Sequence, residues 1–235
     1  MSSLLFAAID VDDSAFHAAI FDPYTGRVTA EFKTKPQAKA LAQRLLQAAG
    51  DRQIRACYES TYLGFSLKRQ LDSFGVPTDV IAASLVPKLA GKRQKNDRLD
   101  AQKLAPLFAN GLLTKVVTPT PEDEAARDLM RSRSFTVAQI RRVKCHVVKL
   151  LRRTGLDYRD ETGHKTLWTV SFRDWLATKA VKVDSTALRV NLRIMRQQLD
   201  LLEQALATYD SEVQALAESE RYAPRVKALT CFRGI

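Results

Sequence analysis

The sequence has few of the residues that form disulfides and zinc sites. It contains three cysteines and three histidines in 235 residues. Cys57, Cys145 and Cys231 are far apart and odd in number, so the sequence predicts neither a disulfide framework nor a zinc finger. The histidines do not have the spacing that is typical of metal ligands.

A hydrophobic run long enough to cross a bilayer is also missing. The first residues lack the basic stretch of a secretory signal peptide, and an acid follows early, at Asp10. We therefore expect no membrane partner and a cytoplasmic location.

Acidic residues are outnumbered, with 26 Asp and Glu against 37 Lys and Arg, which gives a net charge of +11. Charge of this size in a small protein is typical of partners with phosphate backbones. No acid occurs between Leu129 and Leu156, where eight basic residues stand: Arg131, Arg133, Arg141, Arg142, Lys144, Lys149, Arg152 and Arg153. A solvated helix face is the ordinary alternative. The absence of acids favours nucleic-acid contact instead.

A second basic cluster lies between residues 88 and 98 and comprises Lys88, Lys92, Arg93, Lys95 and Arg98. The cluster adjoins Asp97 and Asp100, which are candidate metal ligands, and this position predicts contact with a phosphate backbone.

The first half of the chain alternates between strand and helix patterns. Short apolar or alternating runs predict strands at 4–9, 15–21, 27–33, 54–58 and 78–82, and helical spacing predicts helices at 36–49, 61–73 and 98–112. Three strands in a meander followed by alternating units predict an α/β fold, a ribonuclease-H/RuvC-like mixed sheet with flanking helices.

The second half is helical. Thr120 and Pro121, followed by three acids, predict the start of a helix that continues to about residue 154. Nine apolar residues from Leu188 to Leu216 recur at spacings of four and three, which predicts a coiled coil and a homo-oligomer, a dimer or tetramer. A helical hairpin within one chain is the alternative. The predicted domains are 1–118, 119–222 and 223–235.

Four acids stand where a metal site on such a sheet would need them. Asp10 ends the first strand, Glu59 ends the fourth, and Asp97 and Asp100 share one face at the start of a helix. Phosphodiester chemistry with Mg²⁺ or Mn²⁺ requires several carboxylates from different elements. Each acid has a simpler explanation, and for Asp97 it is a helix cap. Their joint placement predicts a catalytic, metal-binding tetrad.

Three motifs around these acids carry a resemblance to a known family. AIDVDD at 8–13, YEST at 58–61 and KNDRLDA at 95–101 resemble the motifs of the DEDD-type insertion-sequence transposases that include the Piv-type DNA invertases. The resemblance covers the whole chain. It implies that Asp10, Glu59, Asp97 and Asp100 bind the metal, and that the protein is a recombinase with two partners, DNA and a structured noncoding guide RNA (a bridge RNA).

The sequence departs from the family pattern at three places. Asp12 and Asp13 replace the usual Ser-Lys, and Tyr62 replaces a small residue. Residues 226–235 resemble the opening of the family's C-terminal domain, which supplies a nucleophilic serine, so we expect a chain that lacks this domain. Three hypotheses follow: a metal-dependent DNA transposase, a catalytically incomplete nucleic-acid-binding or assembly module, and a RuvC-like junction nuclease.

Overall fold

The computed structural model describes residues 4–87 and 97–232, with residues 97–100 described by their backbone alone. The chain folds as two compact units, Met1–Pro119 and Thr120–Ile235.

The first unit is a five-stranded sheet with helices on both faces. Its strands are β1 (Leu5–Val11), β2 (Phe16–Asp22), β3 (Arg27–Thr34), β4 (Ile54–Glu59) and β5 (Thr78–Ile81), and its helices are α1 (Ala38–Ala49), α2 (Ser66–Ser73) and α3 (Asp97–Ala109). The strand order is β3-β2-β1-β4-β5. The first three strands are antiparallel, and β1, β4 and β5 are parallel. The predicted mixed sheet with flanking helices is therefore confirmed.

The apolar run at the start of the sequence becomes the central strand because both faces of β1 are covered. Leu5 and Ile9 pack towards α1 and α2, in a cluster with Leu41 and Leu71. Ala8 packs on the opposite face, in a cluster with residues of α3. A strand buried on both faces needs apolar residues at consecutive positions, which is what the run at 4–9 provides.

Two helices of this unit differ in length from their predictions. The helix predicted at 61–73 begins at Ser66, because residues 61–65 form a turn that ends in Gly64 and Phe65. The helix predicted at 98–112 ends at Ala109, and Gly111 follows with φ of 69°, a conformation that glycine adopts without strain.

The second unit is all helical. Its elements are α4 (Pro121–Arg153), α5 (Tyr158–Thr162), α6 (Val170–Lys182), α7 (Thr186–Glu218) and α8 (Ala223–Leu229). The side chain of Thr120 caps α4 by accepting a hydrogen bond from the N–H of Asp123, as the Thr-Pro start predicts. The region 156–185, between the two long helices, includes the 13 residues of α6. Phe172 and Leu176 bury the inner face of α6.

The two long helices α4 and α7 pack against each other in one chain. They are antiparallel, since Arg133 pairs with Asp210 at 2.5 Å and Lys144 pairs with Glu203 at 2.9 Å. All nine apolar positions of the four-three repeat are buried or half-buried. The repeat therefore marks a real inner face, covered by helices of the same chain, as the hairpin alternative expected. A coiled coil between chains stays a prediction.

Neither a membrane-spanning helix nor a disulfide occurs among the described residues. No helix among them has both the length and the apolar character that a membrane span requires. All three cysteines lie in the described ranges and are unpaired, with Cys57 buried and Cys145 and Cys231 exposed.

A carboxylate on α7 joins three helices of the second unit. The guanidinium of Arg173 donates two hydrogen bonds of 2.8 Å to Glu203, which also pairs with Lys144. The Arg173 guanidinium, with help from Lys144, holds the pKa of the Glu203 carboxyl below its ordinary 4.5. A depressed carboxyl pKa stabilises the fold above the unfolded value, and this stability is lost as pH falls through the folded value.

We therefore predict that Glu203→Gln lowers the free energy of unfolding of the second unit by about 1 to 2 kcal/mol at neutral pH. The difference from wild type should shrink as pH falls below 4.5. Both tryptophans, Trp168 and Trp175, lie in this unit, so urea unfolding followed by tryptophan fluorescence measures it alone. The control is Glu212→Gln on the exposed side of α7. Equal effects of the two substitutions, or a difference that does not depend on pH, would contradict the prediction.

Candidate active site

Asp10 and Glu59 occupy neighbouring positions on adjacent parallel strands. Ile9 of β1 is in register with Tyr58 of β4, so the next residue on each strand is an acid. Neighbouring strands are about 4.8 Å apart. The two predicted carboxylates are therefore brought together at the carboxyl ends of the strands, where open α/β sheets bind ligands.

Both acids point to the face of the sheet that α3 covers. Side chains alternate along a strand, so Asp10 shares a face with Ala8, and Glu59 shares a face with Cys57. Ala8 and Cys57 both pack in the cluster formed with α3. Burial raises the pKa of the Cys57 thiol well above its ordinary value, and the charges of Asp79 and Glu59 add to this effect. Glu59 therefore lies near Cys57, as the alternation requires.

Helix α3 crosses this face with its first turn towards the acids. Near its end, Phe108 contacts Phe6 at the start of β1, with ring centroids 5.4 Å apart. Near its beginning, Ala101 lines a groove with His17, the residue opposite Asp10 on β2. Asp97, the first residue of the helix, thus lies at the end of the sheet that carries the two strand acids.

The described side chains provide two members of the predicted tetrad. Asp97 and Asp100 are in α3, but their side chains lie outside the described residues. Within the described part, no three His, Cys, Asp or Glu side chains come together as a possible metal site. The donors that are in place, two half-buried carboxylates on neighbouring strands, fit a hard cation such as Mg²⁺ or Mn²⁺.

The loop that follows Glu59 is tied to the core by the preceding residue. The buried hydroxyl of Tyr58 donates a hydrogen bond of 2.9 Å to the carbonyl of Gly64 and accepts one of 3.3 Å from the N–H of Lys68. Backbone pairing continues past Glu59, since the N–H of Ser60 donates to the carbonyl of Ile81. These contacts restrict the backbone that carries the carboxylate.

Two of the three residues that depart from the family pattern contact each other. The Tyr62 hydroxyl donates to the carboxylate of Asp13, which joins the loop after Glu59 to the loop after Asp10. This hydrogen bond raises the pKa of Tyr62 to about 12. Asp12 lies in the β1–β2 turn, where hydrogen bonds from Ser14 lower its pKa. As expected from the sequence, Asp12 and Asp13 lie in the turn rather than in the strand.

Sequence reasoning missed two residues in the same cross-strand row. His17 is opposite Asp10, and Lys33 is opposite His17. All three lie on the face that α3 covers, so the row runs from a cation on β3 to acids on β1 and β4. The short β1–β2 hairpin could have indicated His17. The position of Lys33 depends on a β-bulge that the sequence pattern does not predict.

The structure describes the acid-free stretch of α4 but little of the basic cluster between residues 88 and 98. Lys88, Lys92, Arg93 and Lys95 lie outside the described residues, as does the side chain of Arg98. In the acid-free stretch three of the eight cations form ion pairs: Arg131 with Asp128, Arg133 with Asp210, and Lys144 with Glu203. No ion pair with a described residue involves the other five, which are Arg141, Arg142, Lys149, Arg152 and Arg153.

Part of the remaining charge gathers in one groove of about 570 Å³ on the outer side of α4. Arg141, Lys149 and Arg152 line it together with Lys144 and Trp168. The Lys144 ammonium lies 5.4 Å from the centre of the Trp168 ring. A groove with cations and an aromatic face has the chemistry for both phosphate contact and base stacking.

Comparison with known proteins connects these features to a family. The model of the DEDD transposases of IS110-type elements, described as "Transposase", matches residues 7–155. The transposase for insertion sequence element IS1533 from Leptospira borgpetersenii is 32% identical over 184 residues, which are 78% of this chain and 52% of that protein. The putative transposase y4qE from Sinorhizobium fredii (strain NBRC 101917 / NGR234) is 37% identical over 120 residues, which are 51% of this chain and 30% of that protein.

The chain thus spans about half the length of the first relative and less than a third of the second. Among solved structures, the T. thermophilus RuvC in complex with a Holliday junction substrate matches with a TM-score of 0.32 and 13% identity, over 48% of this chain and 99% of that chain. A similarity this low adds nothing to the argument. The family model, in contrast, covers well over half of the residues, from β1 through α4, and the chain belongs to the IS110-type DEDD transposase family.

Proposed function

We propose that the first unit is the metal-dependent DNA-cleaving part of a transposase, with Asp10, Glu59, Asp97 and Asp100 as ligands of Mg²⁺ or Mn²⁺. The observation that carries this proposal is the juxtaposition of Asp10 and Glu59 at the carboxyl ends of adjacent parallel strands. Helix α3, which begins at Asp97, has its first turn at the same end of the sheet. Family membership adds that a transposase acts on DNA phosphodiesters.

The bound cations would polarise the scissile phosphodiester and offset the charge that develops on it. The chain's own residues have a different task. Asp10 and Glu59 fix the ligand oxygens on a rigid sheet, and the helix N-terminus at Asp97 places partial positive charge beside them. The Tyr62–Asp13 hydrogen bond holds the two adjoining loops together.

We propose further that the second unit holds nucleic acid through the groove on α4. The cations that line it are exposed, except for the half-buried Lys144, and Arg141, Lys149 and Arg152 have no acidic partner among the described residues. The occupants we propose are DNA and a structured guide RNA, in the bacterial cytoplasm. For RNA, backbone charge with a stacking platform is a sufficient contact.

The proposal also includes self-association through the long helices. Large apolar side chains remain exposed on the hairpin, among them Phe135 on α4 and Leu201 on α7, which are 61% and 66% exposed. Exposed apolar side chains on a helical hairpin are suited to contact with a second chain. A dimer or tetramer in solution would support this part of the proposal.

Metal binding provides the first test. We predict that Asp10→Asn and Glu59→Gln each lower the affinity for Mn²⁺ at least about tenfold, because each removes a charged ligand from the cation. Titration calorimetry of the whole chain gives the affinity, and cleavage of a labelled branched DNA in Mg²⁺ gives the activity. Asp12→Asn is the matched control, since that acid is two residues away but lies in the turn.

Unchanged Mn²⁺ affinity in both variants would exclude the metal site. Metal and DNA binding without any cleavage would favour the binding or assembly module. Cleavage restricted to four-way junctions would favour the junction nuclease. Circular dichroism shows whether each variant keeps the wild-type fold.

Asp97 needs a test of its own, because a helix cap and a metal ligand occupy the same position. We predict that Asp97→Asn, which retains capping ability, lowers Mn²⁺ affinity at least about tenfold with little change in thermal stability. A variant that loses stability but keeps the affinity would make Asp97 a cap alone.

The groove on α4 gives a further prediction. We expect Arg141→Gln/Arg152→Gln to reduce the slope of log affinity against log salt concentration by about 2, because two phosphate contacts are lost. The control Arg131→Gln/Arg133→Gln removes the same charge from cations that already have acidic partners. Fluorescence anisotropy with a duplex DNA and an RNA stem–loop measures the salt slopes of the two double variants. Equal slopes for the two double variants would make the groove a solvated helix face.

A further inference from the structure

A groove of about 360 Å³ lies beside the proposed metal site, on the side of the sheet towards β3. Its walls include His17 of β2, Glu31 and Lys33 of β3, and Ala101 from the first turns of α3. It is open to solvent, and Lys33 is exposed at its rim. None of these residues belongs to the predicted tetrad or to the predicted basic clusters.

The register of the sheet places the groove beside Asp10 and Glu59. Lys33 of β3 pairs with His17 of β2, and His17 pairs with Asp10 of β1. Asp10 lies beside Glu59 of the adjacent strand β4. With strands about 4.8 Å apart, the backbone of Lys33 is roughly 10 Å from that of Asp10.

Lys33 has no structural role that accounts for its position. Its side chain makes no hydrogen bond or ion pair with any residue in the described part of the chain. Glu31, two residues earlier on the same face, is different, because it accepts a hydrogen bond from the side-chain amide of Gln102. An edge strand often carries lysine to prevent pairing with other chains, which is the ordinary explanation to be tested.

The row of side chains is asymmetric across the sheet. On one side of the acids it passes through the buried Ile81 of β5 to Lys115, whose ammonium pairs with Asp79 at 2.9 Å. On the other side it continues to His17 and Lys33. Among the described residues of this row, Lys33 is therefore the cation whose ammonium has no acidic partner, and it lies on the β3 side of the acids.

We propose that this groove binds the sugar-phosphate backbone of the DNA strand next to the scissile phosphate, with the Lys33 ammonium on the neighbouring phosphate. The inference rests on the proposed function, since the scissile phosphate is taken to lie at the acids. His17 lies in the groove between the positions of the two phosphates, and the small side chain of Ala101 lines the groove on the α3 side. Glu31 also lines the groove, but it is held by Gln102.

The test compares Lys33→Gln with Lys35→Gln in the full chain. Lys35 is exposed, lies just beyond the end of β3 and loses the same charge. Binding of a labelled single-stranded DNA is measured with Ca²⁺ in place of Mg²⁺, across a range of salt. We expect Lys33→Gln to weaken binding and to reduce the salt slope by about 0.7, the value for one phosphate contact on a single strand. Lys35→Gln should leave the slope unchanged.

A DNA-side substitution identifies the contact. One phosphate at a time is replaced by an uncharged methylphosphonate along the strand, and the wild type should lose affinity at a position adjacent to the cleavage site. Lys33→Gln should lose nothing further at that position, because both changes remove the same interaction. Additive losses at every position would overturn the proposal, as would equal effects of Lys33→Gln and Lys35→Gln.

A measurement of Mn²⁺ affinity distinguishes failure of this proposal from failure of the proposed metal site. Lys33→Gln should bind Mn²⁺ as tightly as wild type does in titration calorimetry, because Lys33 is not a ligand. Failure of wild type to bind Mn²⁺ would count against the tetrad. The salt slope and the methylphosphonate scan would still decide whether Lys33 contacts a phosphate.

Discussion

The parallel pairing of β1 with β4 is the constraint on which the candidate site depends. It brings Asp10 and Glu59 together although 49 positions separate them in the sequence. Like charges at neighbouring cross-strand positions destabilise a sheet, so this arrangement needs a compensating core or ligand. The core is present, because Ile54, Ala56 and Tyr58 of β4 are buried against α1 and α2. A slip of one residue would move these three side chains to the α3 face and turn Glu59 to the wrong face.

The β-bulge in β3 has a similar effect on the other side of the site. The pairs Ile20–Ala30 and Phe21–Val28 leave Thr29 as the extra residue on β3. Beyond the bulge, Lys33 rather than Phe32 lies opposite His17. Without the extra residue an aromatic ring would occupy the α3 face, and Lys33 would move off it. One inserted position therefore decides whether the row beside the acids ends in a cation.

Local patterns predicted much of this fold, and the misses have physical causes. The five strands follow from short apolar or alternating runs, and the inner face of α7 follows from the spacing of four and three, because these patterns report burial directly. The end of the helix near residue 109 was misplaced, because a left-handed glycine overrides the apolar pattern there. Among the site residues, Asp10 and Glu59 were identifiable because each ends a buried strand. Lys33 was not, since its position follows from the bulge at Thr29 and not from its neighbours in sequence.

The basic stretch of α4 shows why a charge count along a sequence overstates what is available to a ligand. The stretch contains no acid, yet Arg133 and Lys144 are paired with acids of α7 that lie 77 and 59 positions away. Packing two amphipathic helices antiparallel brings such acids alongside, so the inner flank of the cationic face is neutralised within the fold. The outer flank meets no acid among the described residues and adjoins Trp168 instead. The charge that can attract a phosphate backbone is therefore confined to one side of α4, and this side also provides an aromatic surface for a base.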